Sequence, residues 1–313
     1  MVARYRCEQL LSINTSLRKN ERSSSLLLRD CHSLRRRLVQ CAVTLRVAVL
    51  QMSSGRDVHA NREQFDDLVE RAVGDGARYL QSPEYTTYYG PSSGFADAVE
   101  DLDGPFLRHV AELAQAHRIT IHVGSLLTPG GGGRFRNTSV VISPAGERVA
   151  VYHKVHLFDV AAPGIEFNES ARIEPGTTRV SAPLGEFHVG LAICFDVRFP
   201  ELFRSLALDG VTLQALPAAF SAATGPAHWE VLVRSRAIEN QVYVVAAAQC
   251  GSQSGPPTHG HSFIVDPWGE ILAEGDATTS GVLCADLNVE EVRRRRSQID
   301  SLGLRRPDAY GGS

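Results

Sequence analysis

Gly190-Leu191-Ala192-Ile193-Cys194-Phe195-Asp196-Val197-Arg198-Phe199-Pro200-Glu201 is the stretch on which the fold reading turns. Residues 187–193 make an apolar run of strand length, and Pro200 suits the first turn of a helix, where its missing N–H costs nothing. A strand therefore gives way to a helix within a few residues, with a cysteine at the junction. Such a junction lies at the carboxyl edge of a sheet, where backbone N–H groups can face a developing oxyanion. The same residues also suit a buried structural cysteine, the usual fate of this side chain.

Working outward, the strand-to-helix alternation recurs. Leu45 to Gln51 is a β-branched and Leu-rich run that reads as a buried strand. Phe65, Leu68, Val69 and Ala72 fall at helical spacing within 59–73, and Gly74 and Gly76 end that helix before a strand from Ala77 to Gln81. A helix around 105–117, a strand Ile119 to Leu126 and two strands near 137–142 and 147–153 follow, then a loop over 156–177. Beyond the cysteine come a strand Thr212 to Leu216, a helix from Pro226 to Asn240 and a strand Gln241 to Ala248. Two strands then flank Pro267-Trp268-Gly269, and a last one runs from Gly281 to Leu287. Sheets with helices outside them are implied, an α/β layered fold. The glycines at 130–133 have no Walker lysine and mark a hairpin tip.

A chain of 313 residues with 43% hydrophobic content can bury a large core as one domain. The net charge of -3, from 32 basic and 35 acidic residues, offers no footprint for nucleic acid or an anionic membrane. No apolar run reaches the length of a membrane span. The six cysteines form no CxxC pair, which speaks against a zinc knuckle or a disulfide framework and for a reducing, cytoplasmic setting. Residues 1–44 carry nine basic and three acidic residues, and read either as an organellar presequence or as a disordered extension. The basic run Arg293–Arg296 reads as a solvated helix face.

Two further strand ends carry chemistry. Lys154 closes the alternating run Val149-Ala150-Val151-Tyr152-His153 and can point into a cleft, where an ammonium would stabilise a thiolate or an oxyanion. An exposed lysine is the plainer alternative. Glu84 follows the strand ending at Gln81 and could exchange protons with a thiol if enclosed, or simply be a loop glutamate.

Strand-end Glu84, Lys154 and Cys194, in that chain order, resemble the Glu-Lys-Cys triad of the nitrilase (carbon–nitrogen hydrolase) superfamily. The resemblance spans roughly residues 45–310. It is carried by Tyr152-His153-Lys154-Val155-His156-Leu157-Phe158-Asp159, by the Cys194 segment and by Thr224-Gly225-Pro226-Ala227-His228-Trp229-Glu230. With Val265-Asp266-Pro267-Trp268-Gly269, these look like the deaminated-glutathione amidase and omega-amidase branch.

The resemblance implies a four-layer α-β-β-α sandwich, a catalytic domain over 45–290, a tail at 291–313 packing on a partner subunit, and a homodimer. No metal or organic cofactor is implied. It makes Cys194 the nucleophile, Glu84 the general base and acid, Lys154 the oxyanion stabiliser, the Phe195 N–H a second oxyanion donor, and Glu169 a supporting carboxylate in preference to Glu166. Tyr85, Tyr88 and Tyr89 either line the pocket or pack in a dimer contact. His228 and Trp229 either face substrate or merely begin a helix. The activity implied is hydrolysis of a small linear carboxamide through a thioester, releasing ammonia and a carboxylate. Omega-amidase and N-carbamoyl amidohydrolase activities stay open, as do a thiol protease pairing Cys194 with His228 or His261, and a catalytically silent scaffold. The chain departs from the family at His153, where an arginine is common, and in the Gly255-Pro256-Pro257 loop.

Overall fold

Period-two alternation in β1 (Thr44–Gln51) sends Val47 and Val49 to one apolar cluster and Ala48 and Leu50 to another, so this strand is covered on both faces. That division organises the whole molecule. The computed structural model describes residues 44–162, 165–251 and 254–310, and the expectations for residues 1–43 fall outside them.

One six-stranded sheet has the order β14-β1-β2-β3-β4-β5. It comprises β2 (Tyr79–Gln81), β3 (Thr120–Pro129), β4 (Phe135–Ile142), β5 (Arg148–His153) and β14 (Gly281–Asn288) beside β1. A second six-stranded sheet has the order β13-β12-β11-β10-β9-β8, built from β8 (Ser181–Leu184), β9 (Phe187–Leu191), β10 (Leu213–Ala215), β11 (Tyr243–Ala246), β12 (Phe263–Val265) and β13 (Ile271–Glu274). In each sheet the central trio is parallel, β1-β2-β3 and β9-β10-β11, and antiparallel strands flank it. Parallel strands end together, so the loops after β2 and β9 emerge at carboxyl edges.

Helices α1 (Val58–Gly74) and α2 (Pro105–His117) cover the outer face of the first sheet, where Phe65 and Phe106 meet edge to face at 5.3 Å. Asp57 caps α1 through its carboxylate, and Pro105 opens α2. Helices α3 (Pro200–Leu208) and α4 (Gly225–Asn240) cover the second sheet through Phe203, Leu206, Trp229 and Val233. The facing sides of the two sheets share the cluster that includes Val47, Tyr79, Tyr152, Val189 and Ile264. Helix, sheet, sheet and helix form the four-layer α-β-β-α sandwich that the resemblance implies.

Two expectations need correction. Residues 156–177 are not a plain loop: β6 (Asp159–Ala162) and β7 (Ile165–Asn168) form an antiparallel hairpin within them. Its four-residue strands pair with each other and belong to neither large sheet, so hydrophobic periodicity gave little signal. The strand expected to reach Ile193 ends as regular structure at Leu191, although the Ala192 and Cys194 N–H groups still bond to the Ala215 and Pro217 carbonyls at 3.1 and 2.8 Å, and the chain turns at Cys194. The arginines of α5 (Val289–Gln298) are engaged locally, Arg294 and Arg295 pairing with Glu291 and Arg295 stacking on Trp268.

Candidate active site

Cys194 opens a short 3-10 turn, Cys194–Arg198, with φ of +46°, the left-handed region that an L-residue occupies only when its surroundings impose it. Asp196, fully buried, is what imposes it. Its Oδ2 accepts from the Ile193 N–H at 2.8 Å and from the Tyr152 hydroxyl at 2.7 Å. Its Oδ1 accepts from the His156 N–H at 3.0 Å and meets His156 Nδ1 at 2.7 Å. One carboxylate thus ties the turn bearing Cys194 to the segment that follows Lys154.

Lys154 directly follows β5 and is 2% exposed. Its Nζ donates to Glu84 Oε1 at 2.8 Å and to Glu169 Oε2 at 2.9 Å. Burial works against the ammonium, but Glu169, Glu84 and the nearby thiol overcome it, and Lys154 holds its proton well above the ordinary lysine range. Glu84, also 2% exposed, accepts from Lys154 and the Asn137 amide on Oε1, and from the Ala219 N–H on Oε2 at 2.8 Å. Burial first, and then the Glu84 carboxylate, push the Cys194 thiol well above its usual range. The thiol at rest is therefore protonated, with a carboxylate beside it. A buried lysine with two buried carboxyl groups costs more desolvation than a hydrophobic replacement would, so stability alone does not account for the cluster.

Glu169, just after β7, also accepts from the Phe158 N–H at 2.7 Å and the Tyr85 hydroxyl at 3.0 Å. A cleft of about 380 Å³ opens over Cys194, Glu84 and Lys154. Tyr85, Tyr88 and Tyr89 all line it, together with Phe158 and Pro256, and the Tyr89 hydroxyl donates to the Pro256 carbonyl at 2.8 Å. Glu166 lines the cleft without joining the Lys154 network, whereas Glu169 does both.

Other expected side chains lie outside the cleft lining. The Phe195 ring packs between Phe158 and Phe199 at 5.0 and 5.5 Å, outside the cleft lining, and its backbone N–H forms no hydrogen bond among the described residues. His228 is exposed in the first turn of α4, 3.3 Å from an Arg198 nitrogen, and lies outside the lining. Trp229 is buried and donates to the His261 carbonyl, while His261 faces Glu274. Neither histidine is placed to serve Cys194 as a base. Sequence reasoning missed Asn137 and Asp196; the first sits inside an ordinary strand, and the second could have been suspected only from its place two residues after the cysteine.

Comparison with known proteins places the chain in a family. The carbon-nitrogen hydrolase family model matches residues 46–297. The chain belongs to the carbon-nitrogen hydrolase family. A deaminated glutathione amidase from Synechocystis sp. is 38% identical over 261 residues, covering 82% of this chain and 96% of the relative. The omega-amidase NIT2 of Mus musculus is 34% identical over 270 residues, covering 85% and 97%. Among solved structures, an amidase from Nesterenkonia sp. AN1 carrying a covalent acetamide addition at its active site cysteine aligns with a TM-score of 0.72. That structure is 29% identical and covers 85% of this carbon-nitrogen hydrolase and 95% of the solved chain. Among the described residues no helix is long and apolar enough to cross a membrane, and no cluster of His, Cys, Asp or Glu could hold a metal ion.

Proposed function

We propose that this carbon-nitrogen hydrolase is an amidase that cleaves the C–N bond of a small linear carboxamide through a thioester on Cys194. The observation that carries the reading is the closed Glu84-Lys154-Glu169 network set against a protonated thiol at the floor of a cleft. With Oε1 taken by Lys154 and Asn137, and Oε2 by one backbone N–H, Glu84 keeps acceptor capacity for the thiol proton.

Glu84 accepts that proton as the sulfur attacks the carbonyl carbon, and the carbonyl π electrons move to oxygen. Lys154 Nζ and the unengaged Phe195 N–H stabilise the resulting oxyanion. Collapse of the tetrahedral adduct breaks the C–N bond, Glu84 returns the proton to nitrogen, and ammonia leaves. Water, deprotonated by Glu84, then attacks the thioester and releases the carboxylic acid and the free thiol. Glu169 holds Lys154 in place, and no cofactor takes part.

The relatives' names support a deaminated-glutathione amidase-like specificity, with omega-amidase as the second reading. The reading includes a cytoplasmic enzyme and a homodimer. Val231 and Ile238, 63% and 50% exposed on α4, supply an apolar stripe suited to burial between subunits. Ammonia release from deaminated glutathione, 2-oxoglutaramate and N-carbamoyl amino acids, compared between wild type and Cys194→Ala, tests the reaction. Activity that survives Cys194→Ala refutes it.

A further inference from the structure

Asn137 stands on β4 with its side chain fully buried, and its backbone carbonyl accepts the Lys154 N–H at 2.9 Å. Its Nδ2 donates to Glu84 Oε1 at 2.8 Å and, more weakly, to Glu169 Oε1 at 3.3 Å. Lys154 Nζ donates to the same two oxygens, at 2.8 and 3.2 Å. A cation and a neutral amide thus bracket one pair of carboxylate oxygens. The orientation of the amide is dictated, because exchanging O and N would aim a carbonyl at two carboxylates. In this orientation the Oδ1 atom has no partner among the described residues, a costly state for a buried acceptor. A strand that served only packing would avoid that cost with an apolar side chain.

The charges explain what the amide relieves. Glu84 faces Lys154 from the end of β5, Cys194 from the turn after β9, the Ala219 N–H from the segment after β10, and Tyr89 from the loop after β2. Glu169 faces Lys154, the Tyr85 hydroxyl and the Phe158 N–H. Burial leads in keeping both tyrosines and the thiol protonated, so one ammonium stands against two carboxylates. A second donor spanning both is what lowers the remaining repulsion.

We propose that Asn137 is a positioning residue that acts through Glu84 and Glu169, allowing both carboxylates to stay ionised beside one lysine so that Glu84 can take the Cys194 proton. The inference rests on the proposed role of Glu84 as base. Removing the donor favours protonation of the carboxylate pair, so the base becomes available only at higher pH.

The experiment is alkylation of Cys194 by iodoacetamide, followed by mass spectrometry as a function of pH in wild type, Asn137→Ala and Asn137→Asp, with kcat and KM measured in parallel. In Asn137→Ala the acid limb should move to higher pH and alkylation at pH 6 should slow about tenfold, the rate equivalent of one hydrogen bond to a charged group. KM should change little, since the amide lies outside the cleft lining. Asn137→Asp is isosteric and adds a third carboxylate, so its limb should move further. A folded Asn137→Ala whose profile overlays that of wild type overturns the proposal; if this variant does not fold, an unshifted Asn137→Asp does the same. Alkylation needs no substrate, so a wild type that alkylates normally but hydrolyses no amide counts against the proposed function and leaves this inference standing on the alkylation profiles.

Discussion

Replacing Asp196 with asparagine should unsettle Cys194 without touching it. The aspartate presents two oxygens to four contacts, from the Tyr152 hydroxyl, the Ile193 N–H, the His156 N–H and His156 Nδ1. Asparagine retains one oxygen and turns an NH2 group toward donors. The Tyr152 hydroxyl can rotate away, but the Ile193 N–H is fixed by the backbone and is left buried without an acceptor. An orphaned buried donor together with a lost charge-assisted bond makes the destabilisation about 3 kcal/mol. For a domain of this size that corresponds to a fall in Tm of roughly 6–12 °C. The same bonds oppose the strain of Cys194 at φ +46°, a conformation that costs an L-residue about 1–2 kcal/mol. Once they are gone the turn relaxes and the thiol moves; a shift of about 1 Å costs on the order of a hundredfold in kcat. Urea unfolding of Asp196→Asn beside wild type, with ammonia release on the same samples, reads both effects. An unfolding free energy within about 0.5 kcal/mol of wild type, the scatter of an ordinary surface change, would refute the account of Asp196 as the hub.

Other outcomes follow from the same geometry. Cys194→Ala should abolish ammonia release while keeping the fold, since losing one buried sulfur is a small packing change, and an unfolding midpoint near that of wild type would verify it. Lys154→Met should lower kcat by about 10²–10³ and destabilise the protein by about 3–5 kcal/mol, because two buried carboxylates lose their cation; a stable, active variant would contradict both. His122, fully buried between the Tyr79 hydroxyl and Ser139, has its pKa lowered by burial to about 3. The unfolded chain binds a proton from about pH 6.5 downward and the folded one does not, so this stability is fully present above pH 6.5. It declines by roughly 1.4 kcal/mol per unit as pH falls toward 3. Urea midpoints between pH 7 and 5 should therefore slope less steeply in His122→Gln than in wild type, and equal slopes would remove His122 from the account. The exposed Val231 and Ile238 on α4 predict self-association, which Val231→Lys with Ile238→Lys should abolish in sedimentation velocity; a wild-type monomer at micromolar concentration would contradict it.

Much of the fold was legible from local pattern. A β-branched, Leu-rich run marked β1, alternation marked β5, helical spacing marked α1, and Pro200 marked the start of α3. These signals are local because a strand or helix repeats within a few residues whatever packs against it. The three candidate side chains were legible for a similar reason, since Glu84, Lys154 and Cys194 each follow an apolar run closely. The β6-β7 hairpin escaped because it pairs only with itself, and His228 was a misleading candidate because a histidine at a helix start points to substrate or to solvent with equal ease.

Sequence alone determined the layered α/β class, the nitrilase-type resemblance and the candidate nucleophile, all of which depend on residue type and short spacing. Tertiary structure alone decided the site. Glu84 meets Lys154 across 70 residues, Asn137 across 53 and Ala219 across 135, and Asp196 meets Tyr152 across 44. No pattern along the chain encodes such meetings. They arise where two sheets bury their facing sides and their carboxyl edges converge, and there burial keeps the thiol protonated while Glu169 and Glu84 keep the lysine charged against burial, with an asparagine between the two carboxylates.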